Sequence, residues 1–161
     1  ALNPNGSIEG NDNDADPARF EPHYSEITRP DQVQIYESVM IGSNGAVTTG
    51  LLNSVRYVKD NRLLPHGFDK RTAAAEIAVH GDAENDADFG AGGDTIRYSV
   101  PTGGAEGPFT VEAELWYQPI AYRWAMNLKP YDSMEPKRFV GYYESTAASS
   151  GVMLAHTSAS R

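Results

Sequence analysis

The sequence predicts a mainly β protein, an antiparallel β-sandwich of the Ig-like or jelly-roll-like kind, with a C-terminal helix. Two observations predict this fold. Segments in which apolar and polar residues alternate recur along the chain, and Gly, Pro and Asn turn signals separate them. The C-terminal part instead shows an apolar spacing that is typical of a helix. We expect the 161 residues to form a single β-rich domain, 1-161.

The N-terminal part, residues 1-32, is predicted to be an extended acidic loop segment. It is rich in Asn, Asp and Gly, and it contains Pro4, Pro17, Pro22 and Pro30. Proline at this spacing prevents a long helix or a central strand. The first ten residues, ALNPNGSIEG, do not have the charged start and apolar core of a signal peptide.

The middle of the chain is predicted to contain short strands. Partial alternation over 32-40 favours a strand, and Asn44-Gly45 after it predicts a tight turn. Residues 46-60 begin like a returning strand, although their later part is ambiguous between strand and helix. Residues 75-81 are a candidate short strand, and an acidic, Gly-rich loop follows over 82-94.

The clearest strand signal lies in 95-100 and 109-120, which both have period two. The Gly- and Pro-rich link between them predicts an antiparallel hairpin with one buried face. We expect Val111, Ala113 and Leu115 to face the core. Glu112 and Glu114 alternate with them and should face water or a partner.

Helical segments are expected after Pro119. Residues 121-132 could form about two helical turns. The best predicted helix is 135-158, because Pro136 suits a first turn and several apolar residues fall roughly on one face. These residues are Phe139, Tyr142, Tyr143, Ala147 and Leu154.

Composition limits the possible functions. Lys plus Arg is 13 and Asp plus Glu is 22, so the formal net charge is −9. This charge disfavours nucleic acid as a partner and permits basic partners or divalent cations. The absence of cysteine excludes disulfides, thiolate chemistry and a C-x-x-C-H haem attachment in this chain. No apolar run approaches the ~20 residues of a membrane span.

The first acidic cluster is a candidate calcium site. Asp12, Asp14 and Asp16 alternate along the chain, and hard cations such as calcium prefer oxygen ligands of this kind. The segment is not an EF-hand, since Pro17 and His23 occupy its sixth and twelfth positions counted from Asp12. A solvated acidic loop is the alternative. Solvation is also the expected state of the second acidic cluster, which contains Asp82, Glu84, Asp86, Asp88 and Asp94.

The four histidines, His23, His66, His80 and His156, are too widely spaced for a local metal motif. A surface or hydrogen-bonded structural role is expected for each. The alternative is a haem or metal ligand through a ring nitrogen. His66, between Pro65 and Gly67, is the first candidate for that role.

No catalytic motif is found, so we predict no catalytic activity in this chain itself. The sequence contains neither a G-x-S-x-G elbow nor a phosphate-binding Gly loop. Glu112 and Glu114 lie roughly 7 Å apart, which is near the separation of some glycosidase pairs. They are neighbours on one exposed strand and do not face each other across a cleft, so a polar sheet surface explains them better. Trp116 and Trp124 could stack on sugars, but packing is the simpler interpretation.

Several segments resemble a known family when they are taken together and in order. They include GSIEGNDNDADPARFEPHYSEIT, YVKDNRLLPHGFDK, GGDTIRYSV, VEAELWYQPIAYRWAMNL and EPKRFVGYYE. These segments resemble the C-terminal β-rich region of a bacterial multihaem cytochrome c family, over residues 6 to about 144. In that family the C-x-x-C-H motifs lie upstream of the β domain.

The resemblance implies a function in electron transfer that is not catalytic. It implies that haem c is bound by the partner or by an upstream region. It also implies that further strands of the β domain precede Ala1. The expected partner is a haem-bearing cytochrome polypeptide or another copy of the chain. The expected location is periplasmic or extracellular, because c-type haem is attached outside the cytoplasm. The alternative function is a calcium-ordered extracellular module that binds carbohydrate or acts in adhesion.

Overall fold

The computed structural model describes residues 2-11, 13 and 16-161 of the chain. The chain is a strand-rich mixture of strands and helices, in which most strands pair in antiparallel sheets. It divides into two compact units. One consists of Ala1–Asp14 with Pro101–Arg161, and the other consists of Ala15–Val100. The prediction of a single domain stays a prediction.

The described residues of the unit formed by Ala15–Val100 contain five strands: β1 (Glu26–Ile27), β2 (Ser38–Gly42), β3 (Val47–Thr48), β4 (Ser54–Asp60) and β5 (Arg97–Tyr98). Strands β3, β2 and β4 form an antiparallel sheet in that order. The Asn44-Gly45 turn is confirmed, since it joins β2 to β3 and Gly45 has a positive φ of 78° that glycine tolerates best. Strands β1 and β5 pair in parallel.

Two strand predictions in this unit are wrong in part. Of the segment 32-40, only residues 38-40 belong to a strand. Gln34 lies before the strand, and its side-chain oxygen accepts a hydrogen bond from the backbone N–H of Tyr24. Residues 75-81 contain a short 3-10 helix, Ala75–Ile77, and His80 forms only an isolated bridge with Asp60. A second 3-10 helix spans Gly81–Glu84.

A small apolar core lies in the same unit. Val79, Ala83 and Phe89 are buried together, and Tyr36 and Leu64 pack against them. Phe89 has no solvent exposure. It is the one large apolar residue of the acidic loop 82-94, whose other residues are polar or small. This aromatic side chain therefore anchors the loop to the core.

The other unit contains β6 (Thr110–Tyr117), α1 (Tyr122–Met126), α2 (Met134–Ser150) and β7 (Val152–Ser160). The strand predicted over 109-120 is confirmed as β6. The predicted hairpin is wrong, because β6 pairs antiparallel with β7 and not with the segment 95-100. A buried cluster of Ala125, Tyr143 and Ala147 joins the two helices.

The predicted helix 135-158 is right in its first part only. Helix α2 begins at Met134, after Ser133, and ends at Ser150. Gly151 then has an extended backbone with ψ of 137°, and residues 152-158 belong to β7. This stretch pairs with β6, and the backbone hydrogen bonds of that pairing outweigh the helical spacing that Leu154 suggested.

Strands β6 and β7 form a two-stranded sheet, which we call the β6–β7 ribbon. Every residue of both strands is exposed. The expectation that Val111, Ala113 and Leu115 face the core is therefore wrong in this chain, since Val111 retains 63% of its accessible surface and Leu115 37%. A β-sandwich is not seen among the described residues.

Candidate functional site

A buried histidine lies between two aspartates in the unit formed by Ala15–Val100. His23 Nε2 is 3.3 Å from Asp86 Oδ2 and 3.8 Å from Asp94 Oδ2. The side chains of His23 and Asp94 each expose 1% of their surface, and that of Asp86 exposes 11%. These three residues, which we call the His23 cluster, are the one group of potential metal ligands found in the described part of the chain.

Loops, not regular elements, bring the His23 cluster together. His23 lies in the proline-rich segment before β1, and its ring meets Phe89 edge to face at 4.9 Å between centroids. The Oδ1 atom of each aspartate accepts a hydrogen bond from a nearby backbone N–H. Asp86 Oδ1 accepts from the N–H of Asp88 at 3.1 Å, and Asp94 Oδ1 accepts from the N–H of Thr95 at 2.8 Å. These bonds leave both Oδ2 atoms directed at the histidine ring.

Two amide side chains determine which nitrogen of His23 carries the proton. The amide nitrogens of Gln34 and Asn61 each lie 3.0 Å from His23 Nδ1. Their orientation is set elsewhere, because Gln34 Oε1 accepts from the N–H of Tyr24 at 2.8 Å and Asn61 Oδ1 accepts from the N–H of Glu37 at 2.9 Å. Both amides are therefore donors to Nδ1, so the ring is neutral and holds its proton on Nε2.

The surroundings extend this network to a buried lysine. Asn61 also donates to the carbonyl of Ile35 at 3.0 Å. The ammonium of Lys59, which is almost fully buried, donates to the same carbonyl at 2.8 Å and to Glu37 Oε1 at 3.2 Å. Because a buried polar group without a partner is costly, these bonds stabilise the loop before β2.

The Asp86 carboxyl and the Tyr36 hydroxyl both have shifted pKa values. Burial alone would raise the pKa of the Asp86 carboxyl, but hydrogen bonds from Asp88 and His23 outweigh it, and the pKa lies below the usual value. Tyr36 donates its hydroxyl to Asp94 Oδ2 at 2.8 Å. Burial, followed by the Asp94 carboxylate, raises the pKa of Tyr36 well above its ordinary value.

The site residues predicted from the sequence do not join the His23 cluster. Asp12 and Asp14 lie outside the described residues. Asp16 is exposed, and its Oδ1 accepts from the backbone N–H of Ala18 at 2.8 Å. His66 is exposed in a turn after Pro65. Calcium at the first acidic cluster and a haem or metal ligand at His66 both stay predictions.

No local pattern in the sequence indicated that His23, Asp86 and Asp94 come together. His23 was expected to have a structural role, and its hydrogen bonds agree with that, but its partners were not foreseen. Solvation of the second acidic cluster is wrong for Asp86 and Asp94, although Asp82, Glu84 and Asp88 are exposed. Phe89 was the available signal, since an aromatic residue directly after Asp88 indicates a loop that packs on a core.

The β6–β7 ribbon is a second candidate site of another kind. Its two faces differ, because side chains alternate along each strand and paired residues share a face. Glu112 lies opposite Ser158 and Glu114 opposite His156, whereas the other face carries small and apolar side chains. The latter are Val111, Ala113, Leu115, Ala155, Thr157 and Ala159.

The comparisons with known proteins add no relative. No protein-family model, curated protein or solved structure matches the chain. None of the helices among the described residues is long and apolar enough to cross a membrane. The proposed function therefore depends on the β6–β7 ribbon and on the sequence itself.

Proposed function

We propose that this chain is a non-catalytic, strand-rich domain or subunit of a multihaem cytochrome c electron-transfer system, and that it docks to the haem-bearing polypeptide. One observation supports docking most directly: the β6–β7 ribbon is exposed on both faces. An isolated two-stranded sheet is at best marginally stable in water, and three or more strands or a packed face are needed. The partner would supply the additional strands or the packed face that stabilise a two-stranded sheet.

The docked state would be a β-sandwich. Strands of the partner would add to the free edges of β6 or β7, where backbone N–H and C=O groups point outward. A second sheet would cover the apolar face that carries Val111 and Leu115, both of which are exposed in this chain. Burying that face would add the hydrophobic free energy that the ribbon lacks.

The assignment to a cytochrome system is supported by the sequence resemblance. The haem would be carried by the partner or by an upstream region, since this chain has no cysteine for a thioether bond. A net charge of −9 favours docking to a basic surface. A periplasmic or extracellular location follows from the same proposal.

Isolation of the native assembly tests the proposal. We expect this chain to co-purify with c-type haem absorbance, and haem staining after denaturing electrophoresis should assign the haem to another polypeptide or to a longer precursor. Val111→Asp, which puts a charge on the apolar face, should release the chain. Val55→Asp is the matched control, because Val55 is similarly exposed but lies on β4.

A colourless, monomeric native protein would contradict the cytochrome proposal. If that monomer also bound glycans and were stabilised by calcium, the alternative function would hold. Calcium at 100-fold excess over its dissociation constant should then add ~2.7 kcal/mol to the free energy of unfolding, and EGTA should remove it.

A further inference from the structure

We propose that the His23 cluster binds one divalent first-row transition metal ion, for which zinc is the probe. The ligands would be His23 Nε2 and one carboxylate oxygen each from Asp86 and Asp94, and solvent would complete the coordination. This site does not depend on the proposed docking function, and it is separate from the calcium predicted at the first acidic cluster.

The distances within the cluster suit a single ion. The three ligand atoms lie within 4.8 Å of one another, and the two distances from His23 Nε2 are 3.3 and 3.8 Å. Tetrahedral zinc with bonds of ~2.0–2.2 Å holds neighbouring ligands roughly 3.3–3.6 Å apart. The two distances from Nε2 need to change by only a few tenths of an ångström, and the two carboxylate oxygens, at most 4.8 Å apart, would have to approach each other by roughly 1 Å or less to share one ion.

The charges within the cluster favour a cation. Asp86 and Asp94 are both largely buried, yet the groups that donate to them are neutral. They are the Tyr36 hydroxyl, the amide of Gln34, backbone N–H groups and the neutral ring of His23. The nearby ammonium of Lys70 donates to the carbonyl oxygens of Ala83 and Asp86 instead of the inward carboxylate oxygens. Two buried negative charges without a cation between them are costly, and a divalent ion would offset both.

The type of donor selects the metal. One imidazole nitrogen with two carboxylate oxygens suits zinc and neighbouring transition ions, whereas magnesium and calcium prefer oxygen ligands alone. Binding also requires the ring proton to move, because Nε2 carries it in the metal-free chain. Nε2 must lose that proton to solvent, and Nδ1 must take one and donate it to an acceptor.

Gln34 is the residue whose side-chain oxygen would accept the hydrogen bond from Nδ1–H. Turning its amide costs the bond from the Tyr24 N–H and the long 3.5 Å bond from Gln34 Nε2 to Asp94 Oδ2, an oxygen that the bound ion would occupy instead. Turning Asn61 would cost the bond from the N–H of Glu37 at 2.9 Å and the bond to the carbonyl of Ile35 at 3.0 Å. A glutamate at position 34 would remove this cost, since its carboxylate accepts from Nδ1–H and from Tyr24 N–H alike. Carboxylates that orient metal-bound histidines in this way change metal affinity by ~10–100-fold.

Calorimetry on the full chain after EDTA treatment tests the proposal. We expect one equivalent of zinc to bind and to raise the melting temperature. Asp94→Asn should weaken zinc binding by more than ~10-fold and Gln34→Glu should tighten it by ~10-fold. Asp82→Asn, an exposed aspartate of the same loop, is the matched control and should leave the affinity unchanged.

Two further measurements separate this site from other zinc sites. Long-range ¹⁵N NMR of His23 should show the proton on Nε2 without metal and on Nδ1 with zinc. His66→Ala should not change the binding. Absence of zinc binding, equal affinity in the wild-type protein and Asp94→Asn, loss of binding in His66→Ala, or an Nε2 proton that persists at saturating zinc would each overturn the proposal.

Discussion

The side chain of Asn61 donates to His23 Nδ1 across 38 residues of chain, at 3.0 Å. Asn61 is fully buried, and the same amide group accepts from the N–H of Glu37 and donates to the carbonyl of Ile35. A single side chain thus satisfies two backbone groups and sets the tautomer of the ring. Asn61 thus connects three parts of the chain: the end of β4, the segment before β2 and the segment before β1.

We predict that Asn61→Ala destabilises the protein strongly. The substitution leaves the N–H of Glu37 without its partner, and a buried polar group left unsatisfied costs ~1–3 kcal/mol. It also removes one of the two amide donors to His23 Nδ1, which keeps Gln34. Urea denaturation measures the change in the free energy of unfolding. The control is Asn85→Ala, at an exposed position, which should change it by less than ~0.5 kcal/mol. Similar effects of the two substitutions would contradict the network.

The buried ion pair of Lys59 with Glu37 should also contribute to stability. Lys59→Ala removes the cation from a pair whose lysine side chain is 2% exposed, and breaking such a pair costs ~3–5 kcal/mol. Arg71→Ala breaks the exposed pair with Asp69 and should cost less than ~1 kcal/mol. Thermal unfolding at the same pH gives the melting temperatures of the two variants, and the prediction fails if these temperatures are equal.

Gly6 should not tolerate a side chain. Its φ is +87°, and a Cβ there would lie 2.1 Å from the hydroxyl oxygen of Tyr143. We expect Gly6→Ala to cost more than ~1 kcal/mol, since both strain and overlap oppose it. Adding Tyr143→Phe should recover part of the loss, because the overlapping oxygen is removed. A double-mutant cycle in urea measures this coupling, and additive effects would show that the overlap does not matter.

The β6–β7 ribbon should be insensitive to truncation of its apolar side chains while it is undocked. Leu115→Ala is expected to cost less than ~1 kcal/mol in the isolated chain, well below the ~2–5 kcal/mol of a buried leucine. Phe89→Ala, at a position with no exposure, should cost ~3–5 kcal/mol. Chemical denaturation of the two variants tests the contrast, and a large effect at Leu115 would mean that the ribbon is already covered.

Local patterns in the sequence determined several elements. The alternation in 109-120 predicted β6, because a strand that is polar on one face must alternate. Asn44-Gly45 predicted the turn between β2 and β3, because glycine adopts a positive φ without strain. The start of α2 was also predicted, since Pro136 falls in its first turn. Of the predicted apolar face, Tyr143 and Ala147 are buried, whereas Phe139 and Tyr142 are exposed.

The tertiary structure alone decided which segments pair and meet. Alternation with period two indicates a strand but does not indicate which strand pairs with it. The sequence therefore predicted β6 correctly, whereas most of its partner β7 was predicted to be helical. Helical spacing and strand pairing competed after Gly151, and only backbone bonding to β6 resolved that competition. The His23 cluster joins residues 63 positions apart through loops, and no local spacing encodes such a contact. Asp86 and Asp94 resemble solvated loop residues in the sequence, because their burial depends on Phe89 packing into a core that the rest of the chain must first build.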